Sequence, residues 1–510
     1  MRSALTCALA AMMGLATSGV AAQTPASENE RQYLQHDYLF VADEPLYAAV
    51  QSVIDALLAK QSDVRERPQL LIYSADNFSA AADTEGNIVI STQTLRRLDS
   101  EDELAALLAH ELAHVIKRHP ASKTFMQRFP VGADTYAAMI AADDRIHTSR
   151  GKADKADREL DKKRVSDSQN VSLFWSDILA PSWNRGDEAE ADRMGMQMMQ
   201  AAGYDPRAVV TLINKLAEAQ VQRSERMQAL CEELIAEERR KRRITTTSDD
   251  AEARLFAEEV DKWRGNGTEK LIREGFDKLL ALSAPYSSND ERIQQVKQLS
   301  AQESSSQDMV ATKKLKYRKS ANDNGELLNM DALAISGMNL LGTKDTATGV
   351  DSLRQVVASK VDSPHFKLAA SSYYQELKDE VKSDAVLVQW LAEPRAPAVA
   401  FLKHADNQAA RGELTAAVAT LDTARARLGT GVPFLPAMIT TAKANKDEIL
   451  AEKFTAECKT AEESDLLTKG IKIFTGNKPT GVYAECVARL GRLPAGERTT
   501  KGVLGLFNRQ

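Results

Sequence analysis

The chain reads as an α+β protein: a mainly helical first region holding a small β-sheet, followed by an all-α C-terminal region. Three observations predict this. Helical periodicity runs through most apolar segments; two short β-rich runs, 69–73 and 86–91, lie close together ahead of a long helix; and beyond a Ser-, Lys- and Asn-rich stretch at 297–326 the patterns are helical. At 510 residues, two or three domains are expected. Hydrophobic residues make up 43% and charged residues 27%, the balance of ordinary globular protein. The net charge of −6, with no basic stripe interleaved with aromatics, gives no reason to expect nucleic acid as a partner.

Taken in order, residues 1–22 read as a signal peptide. Met1-Arg2 is a short positive start, 4–20 is apolar, and Val20-Ala21-Ala22 ends in the small-x-small pattern of a cleavage site. An N-terminal membrane anchor is the alternative. No later stretch approaches 18 consecutive apolar residues, so no membrane span is expected in the mature chain. Residues 43–61 read as a helix with Leu46, Val50, Val53, Ile54 and Leu57 on one face. The strand at 69–73 follows, then a turn rich in small residues, then the strand at 86–91. An unbroken helical stretch runs from 102 to 117, with Ser100 and Glu103 forming a capping box at its start.

That helix carries His110-Glu111-Leu112-Ala113-His114. At H-E-x-x-H spacing the two imidazoles lie one turn apart on one face and can grip a single zinc ion. Glu111 stands where its carboxylate can take a proton from water at the metal. A catalytic zinc needs a third protein ligand and an open position. The run from Arg185 through Glu188, Glu190 and Asp192 offers it, because Glu188 and Asp192 share a helix face. One can bind the metal, while the other takes the free ring N–H of a ligand histidine. Glu190 is expected to point elsewhere, toward solvent.

With these motifs on the page, the chain resembles the HtpX- and BepA-type zinc metallopeptidases of the gluzincin class. Beyond H-E-x-x-H and Glu188-x-x-x-Asp192, the similarity includes 100–109, Lys117-Arg118-His119, Arg185, and Gly203-Tyr204-Asp205-Pro206, over roughly 70–293. It implies one zinc per chain held by His110, His114 and Glu188, with Glu111 as base and Asp192 behind a zinc-bound histidine. It also implies a periplasmic endopeptidase acting on misfolded or stalled envelope and outer-membrane proteins. A departure falls at Ala284-Pro285, where that family commonly has His-Pro and the histidine can restrain activity. Arg292 follows as a candidate for substrate or oxyanion contact, or as an exposed helix arginine. Asn87, Ile88, Val89 and Ile90, directly ahead of the motif helix, are the candidate edge strand for pairing with extended substrate, with an interior strand as the alternative.

The peptidase region is expected over 23–296. It carries helical insertions at about 120–183 and 221–278, because roughly 75 residues between the two metal motifs is too long for a bare loop. Residues 297–326 read as a linker, and 327–510 as a helical domain. Within the latter, 399–428 reads as a helical hairpin with Gly412 at the turn, resembling a tetratricopeptide unit; a generic bundle competes with it. Either would offer a face for a protein partner such as outer-membrane assembly machinery. Cys458 and Cys486 could bridge two neighbouring helices in an oxidising compartment. Two other readings stay open. One is a periplasmic chaperone or assembly factor with latent proteolysis. The other is an exopeptidase, disfavoured because such enzymes place the third ligand nearer to H-E-x-x-H.

Overall fold

The structure is a computed structural model that describes residues 28–35, 38–61, 67–83, 85–119, 185–245, 289–303, 313–316, 324–341, 344–359, 361, 363, 365–429, 431–464 and 481–491. The signal peptide at 1–22, the insertion at 120–183 and Ala284-Pro285 lie outside them, as does the insertion at 221–278 beyond residue 245.

The α+β expectation holds. Helix α1 (Glu28–Gln35) leads into α2 (Glu44–Leu58), which Asp43 caps by accepting from the Leu46 amide at 2.7 Å. Leu46, Val50, Val53, Ile54 and Leu57 form its buried face. Strands β1 (Leu70–Tyr73), β2 (Ala80–Ala82) and β3 (Ile88–Ser91) make a sheet in the order β1-β3-β2; β3 runs parallel to β1 and antiparallel to β2. Ser91 caps α3 (Thr92–Arg97), and α4 (Glu101–Lys117) follows.

Two sequence expectations change here. The small-residue segment 80–82 is a strand and not only a turn; three alanines have little β-preference, and sheet pairing decides the matter. Consequently Asn87, Ile88, Val89 and Ile90 are not an edge. β3 is the central, fully buried strand, with both sides occupied by neighbours, and among the described residues β2 is the open edge. The capping box is also only half formed. Ser100 accepts from the Glu103 amide at 3.1 Å, but the Glu103 carboxylate turns to the Asp99 amide at 2.7 Å and to Lys215 at 2.7 Å.

The remaining peptidase-region helices are α5 (Arg185–Ala201), α6 (Ala208–Thr245) and α7 (Asn289–Glu303). Within 221–278, residues 221–245 continue α6 as one long helix. Part of 297–326 is packed structure: Leu315 is buried, and the Lys313 amide donates to Asp102 at the start of α4. The C-terminal helices are α8 (Asn324–Leu340), α9 (Thr346–Ala358), α10 (Phe366–Glu376), α11 (Glu380–Leu391), α12 (Ala398–Ala410), α13 (Leu414–Leu428), α14 (Leu435–Ala444), α15 (Glu448–Ser464) and α16 (Gly481–Leu490). Successive helices pair as hairpins, α8 with α9, α10 with α11, α12 with α13 and α14 with α15, each pair touching the next. Gly412, at φ 82°, makes the α12–α13 turn that few other residues accept without strain. Cys458 on α15 and Cys486 on α16 are disulfide-bonded with Cα atoms 6.5 Å apart.

The sheet divides two cores. Leu70, Ile72, Ile88 and Ile90 face α2, α4, α5 and α6; Leu71, Tyr73 and Val89 face Phe401, Leu402, Phe434 and Met438 of the helical array. Alternate residues of one strand therefore belong to different cores, which is why the strands read as continuous apolar runs. Full burial of each large side chain is worth roughly 2 kcal/mol. The two regions are thus packed on one sheet.

A buried polar knot adds to this seam. Asp331 on α8, 1% exposed, accepts from Ser74 Oγ at 2.6 Å at the end of β1 and from the Thr92 hydroxyl at the start of α3. His365 Nε2 lies 2.6 Å away as a charge contact off the hydrogen-bond line, and its Nδ1 meets Ser363 Oγ at 2.8 Å. Replacing Asp331 with Ala removes the carboxylate that joins Ser74, Thr92 and His365 and is expected to cost about 3 kcal/mol. Denaturant unfolding of the two chains measures it; an unchanged midpoint would refute this role.

Candidate metal centre

The site is built where α4 crosses α5. From Glu101 to Ala109 the α4 residues are all buried, and contacts at its N-terminus hold it on several sides. The Asp205 amide donates to Asp102 at 3.0 Å, Tyr204 Oη to Glu101 at 3.3 Å, and Lys215 to Glu103. On α5, Glu188, Asp192 and Gly195 share the face turned toward α4. A Cβ added at Gly195 would lie 3.2 Å from the Ala109 carbonyl carbon and the His110 amide nitrogen, so hydrogen alone keeps the two backbones this near.

That approach brings three donors together. His110 Nε2 and His114 Nε2 are 3.1 Å apart, and each is 3.6 Å from a Glu188 carboxylate oxygen. A tetrahedral ion with bonds of 2.0–2.1 Å separates its ligand atoms by about 3.3 Å. The donor spacing therefore matches zinc without rearrangement, and the two-imidazole, one-carboxylate set is that of a catalytic zinc site. Two imidazole nitrogens at this distance also need a proton or a cation between their lone pairs. The residues present fit the metal.

Asp192 holds the first ligand. Its Oδ1 accepts from His110 Nδ1 at 2.9 Å, which leaves Nε2 free for a cation. Asp192 is only 7% exposed, and Arg292 from α7 grips it with a two-pronged bond, Nε to Oδ2 at 3.0 Å and Nη2 to Oδ1 at 2.8 Å. Burial pushes the Asp192 carboxyl upward, but His110 and Arg292 outweigh it and hold the group well below the usual carboxylate range. Arg292 is neither an exposed helix arginine nor aimed at an open pocket. Its side chain is 12% exposed, and its partners are the site's own carboxylates, including Glu188 at 3.5 Å.

Glu111 is buried beside this cluster and accepts from the Ala82 amide of β2 at 2.8 Å. Burial, together with the charge of Glu188, pushes its carboxyl up to about 7 against the lowering pull of His110, Ala82 and Arg292. His110 rises to about 9: burial opposes its charge, but the Asp192 bond and the surrounding carboxylates prevail. His114 falls to about 2, through burial first and then the charge of the neighbouring His110.

Two participants lie beyond the site residues that the sequence marks. Ala82 belongs to the strand that three alanines do not announce. His119 lies past the helix end, where Arg118 adopts a left-handed φ of 54° and turns the chain back toward His114. Its signal in the sequence is Lys117-Arg118-His119, which matches the HtpX- and BepA-type pattern five residues past His114. Glu190 is not simply solvated. Although 44% exposed, it pairs with Lys117 at 2.8 Å and meets His119 at 3.4 Å, and both hold its carboxyl below the ordinary value.

Substituting Gly195 with Val drives a side chain into the α4 backbone. Zinc content measured on the purified chain is expected to fall below half an equivalent, with a loss of about 3 kcal/mol in stability. A Gly195→Val chain that binds zinc as wild type does would show that the close crossing is not needed.

Residues 46–254 match peptidase family M48. The chain is 27% identical over 178 residues to the beta-barrel assembly-enhancing protease of Yersinia pestis, and 26% identical over 176 residues to that of Escherichia coli K12. The first alignment covers 35% of this chain and 34% of the relative, the second 34% of each, so the match spans about a third of those proteins. The mitochondrial metalloendopeptidase OMA1 of Schizosaccharomyces pombe is 29% identical over 137 residues, 27% of this chain and 34% of that one. The HtpX/BepA-like resemblance read from the motifs is upheld over the region that bears the site.

Proposed function

We propose that this chain, whose 46–254 region is an M48-type metallopeptidase, is a periplasmic zinc-dependent endopeptidase hydrolysing misfolded or stalled envelope and outer-membrane proteins. The observation that carries the reading is the convergence of His110, His114 and Glu188 at zinc spacing, with the buried Glu111 carboxylate alongside. When bound, zinc supplies Lewis acidity, acidifying water and polarising a peptide carbonyl. The protein does the rest. Glu111, buried beside the three donors, takes the proton from the attacking water and passes it to the leaving amide nitrogen as the C–N bond breaks. Arg292 and Asp192 keep the His110 ring fixed during this transfer.

The endopeptidase assignment is supported by β2. Asp83 N donates to Asn87 O and Ser91 N to Ser79 O, so residues 79 and 83 bond inward; residue 80 turns its backbone groups to the open edge, and the Ala82 amide on the same side donates to Glu111. An extended chain can pair with that edge and run past Glu111. Export is supported by the signal-peptide pattern and by the Cys458–Cys486 disulfide, which belongs to an oxidising compartment. Among the described residues no helix is long and apolar enough to cross a membrane. The substrate class follows from the beta-barrel assembly-enhancing relatives, and the stacked hairpins, tetratricopeptide-like in pattern, would receive an assembly partner.

Those hairpins also favour the second reading, a chaperone or assembly factor with latent proteolysis. Casein digestion with and without chelator separates the two: chelator-sensitive cleavage supports the peptidase, and intact casein under both conditions supports the chaperone. Glu111→Gln should lower kcat about 1,000-fold while zinc content stays at one equivalent; full activity in that variant would refute the base assignment. Ala80→Pro removes an edge N–H without touching the inward ladder. It should reduce kcat/KM for an unfolded protein about fivefold, the worth of one hydrogen bond. No change would argue that substrate does not pair with β2.

A further inference from the structure

The two metal-facing histidines are oriented from behind by different means. His110 leans on a charged carboxylate, Asp192, itself gripped by an arginine. Behind His114 the corresponding place is taken by a third histidine, His119, whose Nδ1 lies 2.8 Å from His114 Nδ1. The His119 side chain is 7% exposed, and its ring stands nearly edge-on to that of His114, with centroids 4.9 Å apart and planes at 69°.

The backbone is arranged to produce this contact. Helix α4 ends at Lys117, Arg118 takes the left-handed conformation, and the His119 amide donates back to the His114 carbonyl at 3.0 Å. The capping turn thus folds residue 119 over residue 114. For His114 Nε2 to offer a lone pair to a cation, its proton must sit on Nδ1, where it is donated to His119 Nδ1. The proton of His119 is then on Nε2, which faces the Glu190 carboxylate at 3.4 Å and Asp187 at 3.9 Å. Glu190 is held in turn by Lys117 at 2.8 Å.

We infer that His119 is a positioning residue for the metal centre: it fixes the tautomer and ring orientation of His114, backed by Glu190. The working motif in this chain is therefore H-E-x-x-H-x-x-x-x-H, in which the last histidine acts through the second and does not touch the metal. The inference rests on the zinc-site reading and deepens it. A neutral histidine transmits less negative charge to its partner than a carboxylate does. The His114 imidazole is accordingly the less electron-rich of the two ligands, and its alignment depends on His119 being present.

The test uses the full-length chain and two variants, His119→Ala and His119→Asn. Asparagine can place a carbonyl oxygen where His119 Nδ1 accepts. Zinc affinity is measured by chelator competition, and the cobalt-substituted site by its visible absorption. The His119→Ala chain should bind zinc ten- to a hundredfold more weakly, roughly the usual loss for an outer hydrogen-bond partner, with an altered cobalt band. The His119→Asn chain should stay within about threefold of wild type and keep the band. The inference is overturned if His119→Ala matches wild type in both measurements, or if His119→Asn loses as much as His119→Ala. A wild-type chain that binds no zinc would instead sink the metal-site reading itself, together with this inference.

Discussion

The contact between α4 and α5 at Gly195 is the constraint from which the rest of the centre follows. Two helices whose backbones meet there have no freedom to slide, because a shift of one residue would place side chains where Ala109 and His110 stand. Holding the axes this close lets a short carboxylate, Asp192, reach His110 Nδ1, and lets Glu188 span to both Nε2 atoms. A methyl group at 195 would move the donors apart by a distance comparable to a metal–ligand bond tolerance. The geometry of coordination is thus set by packing before any ion arrives.

Burial then determines the electrostatics. Glu111, His114 and Asp192 are all withdrawn from water, and each resolves the cost differently. Asp192 remains an anion because His110 and a bidentate Arg292 surround it. His114 remains neutral because positive neighbours and desolvation act together. Glu111 sits between these extremes, its affinity for a proton raised to near neutrality. Arg292 arrives from α7, a hundred residues beyond Asp192, so the charge balance is a property of three helices and not of the motif helix alone.

The sheet connects this centre to the helical array. β1 and β3 are buried on both faces, one toward α2, α4, α5 and α6 and one toward the hairpins. Asp331 from α8 ties down the ends of β1 and the start of α3. Because β2 sits on this sheet and donates to Glu111 through Ala82, the position of the base depends on how the sheet is seated. The array and the centre therefore share a mechanical element.

Much of this was legible in the sequence where the governing periodicities are local. The α2 face, the α4 span, the 399–428 hairpin with Gly412, and the His110–His114 and Glu188–Asp192 spacings each follow from helical geometry, which a single segment determines by itself. What only the tertiary structure decided are the features whose partners are distant in the chain. Three alanines became a strand because β3 paired with them, which turned the expected edge into the centre of the sheet. Arg292 became a clamp because α7 packs beside α5, and His119 joined the site because a left-handed residue folded it back onto His114. Residue identity determines which chemistry is available at each position. Which groups meet is a matter of non-local packing, and spacing along the chain does not carry that information.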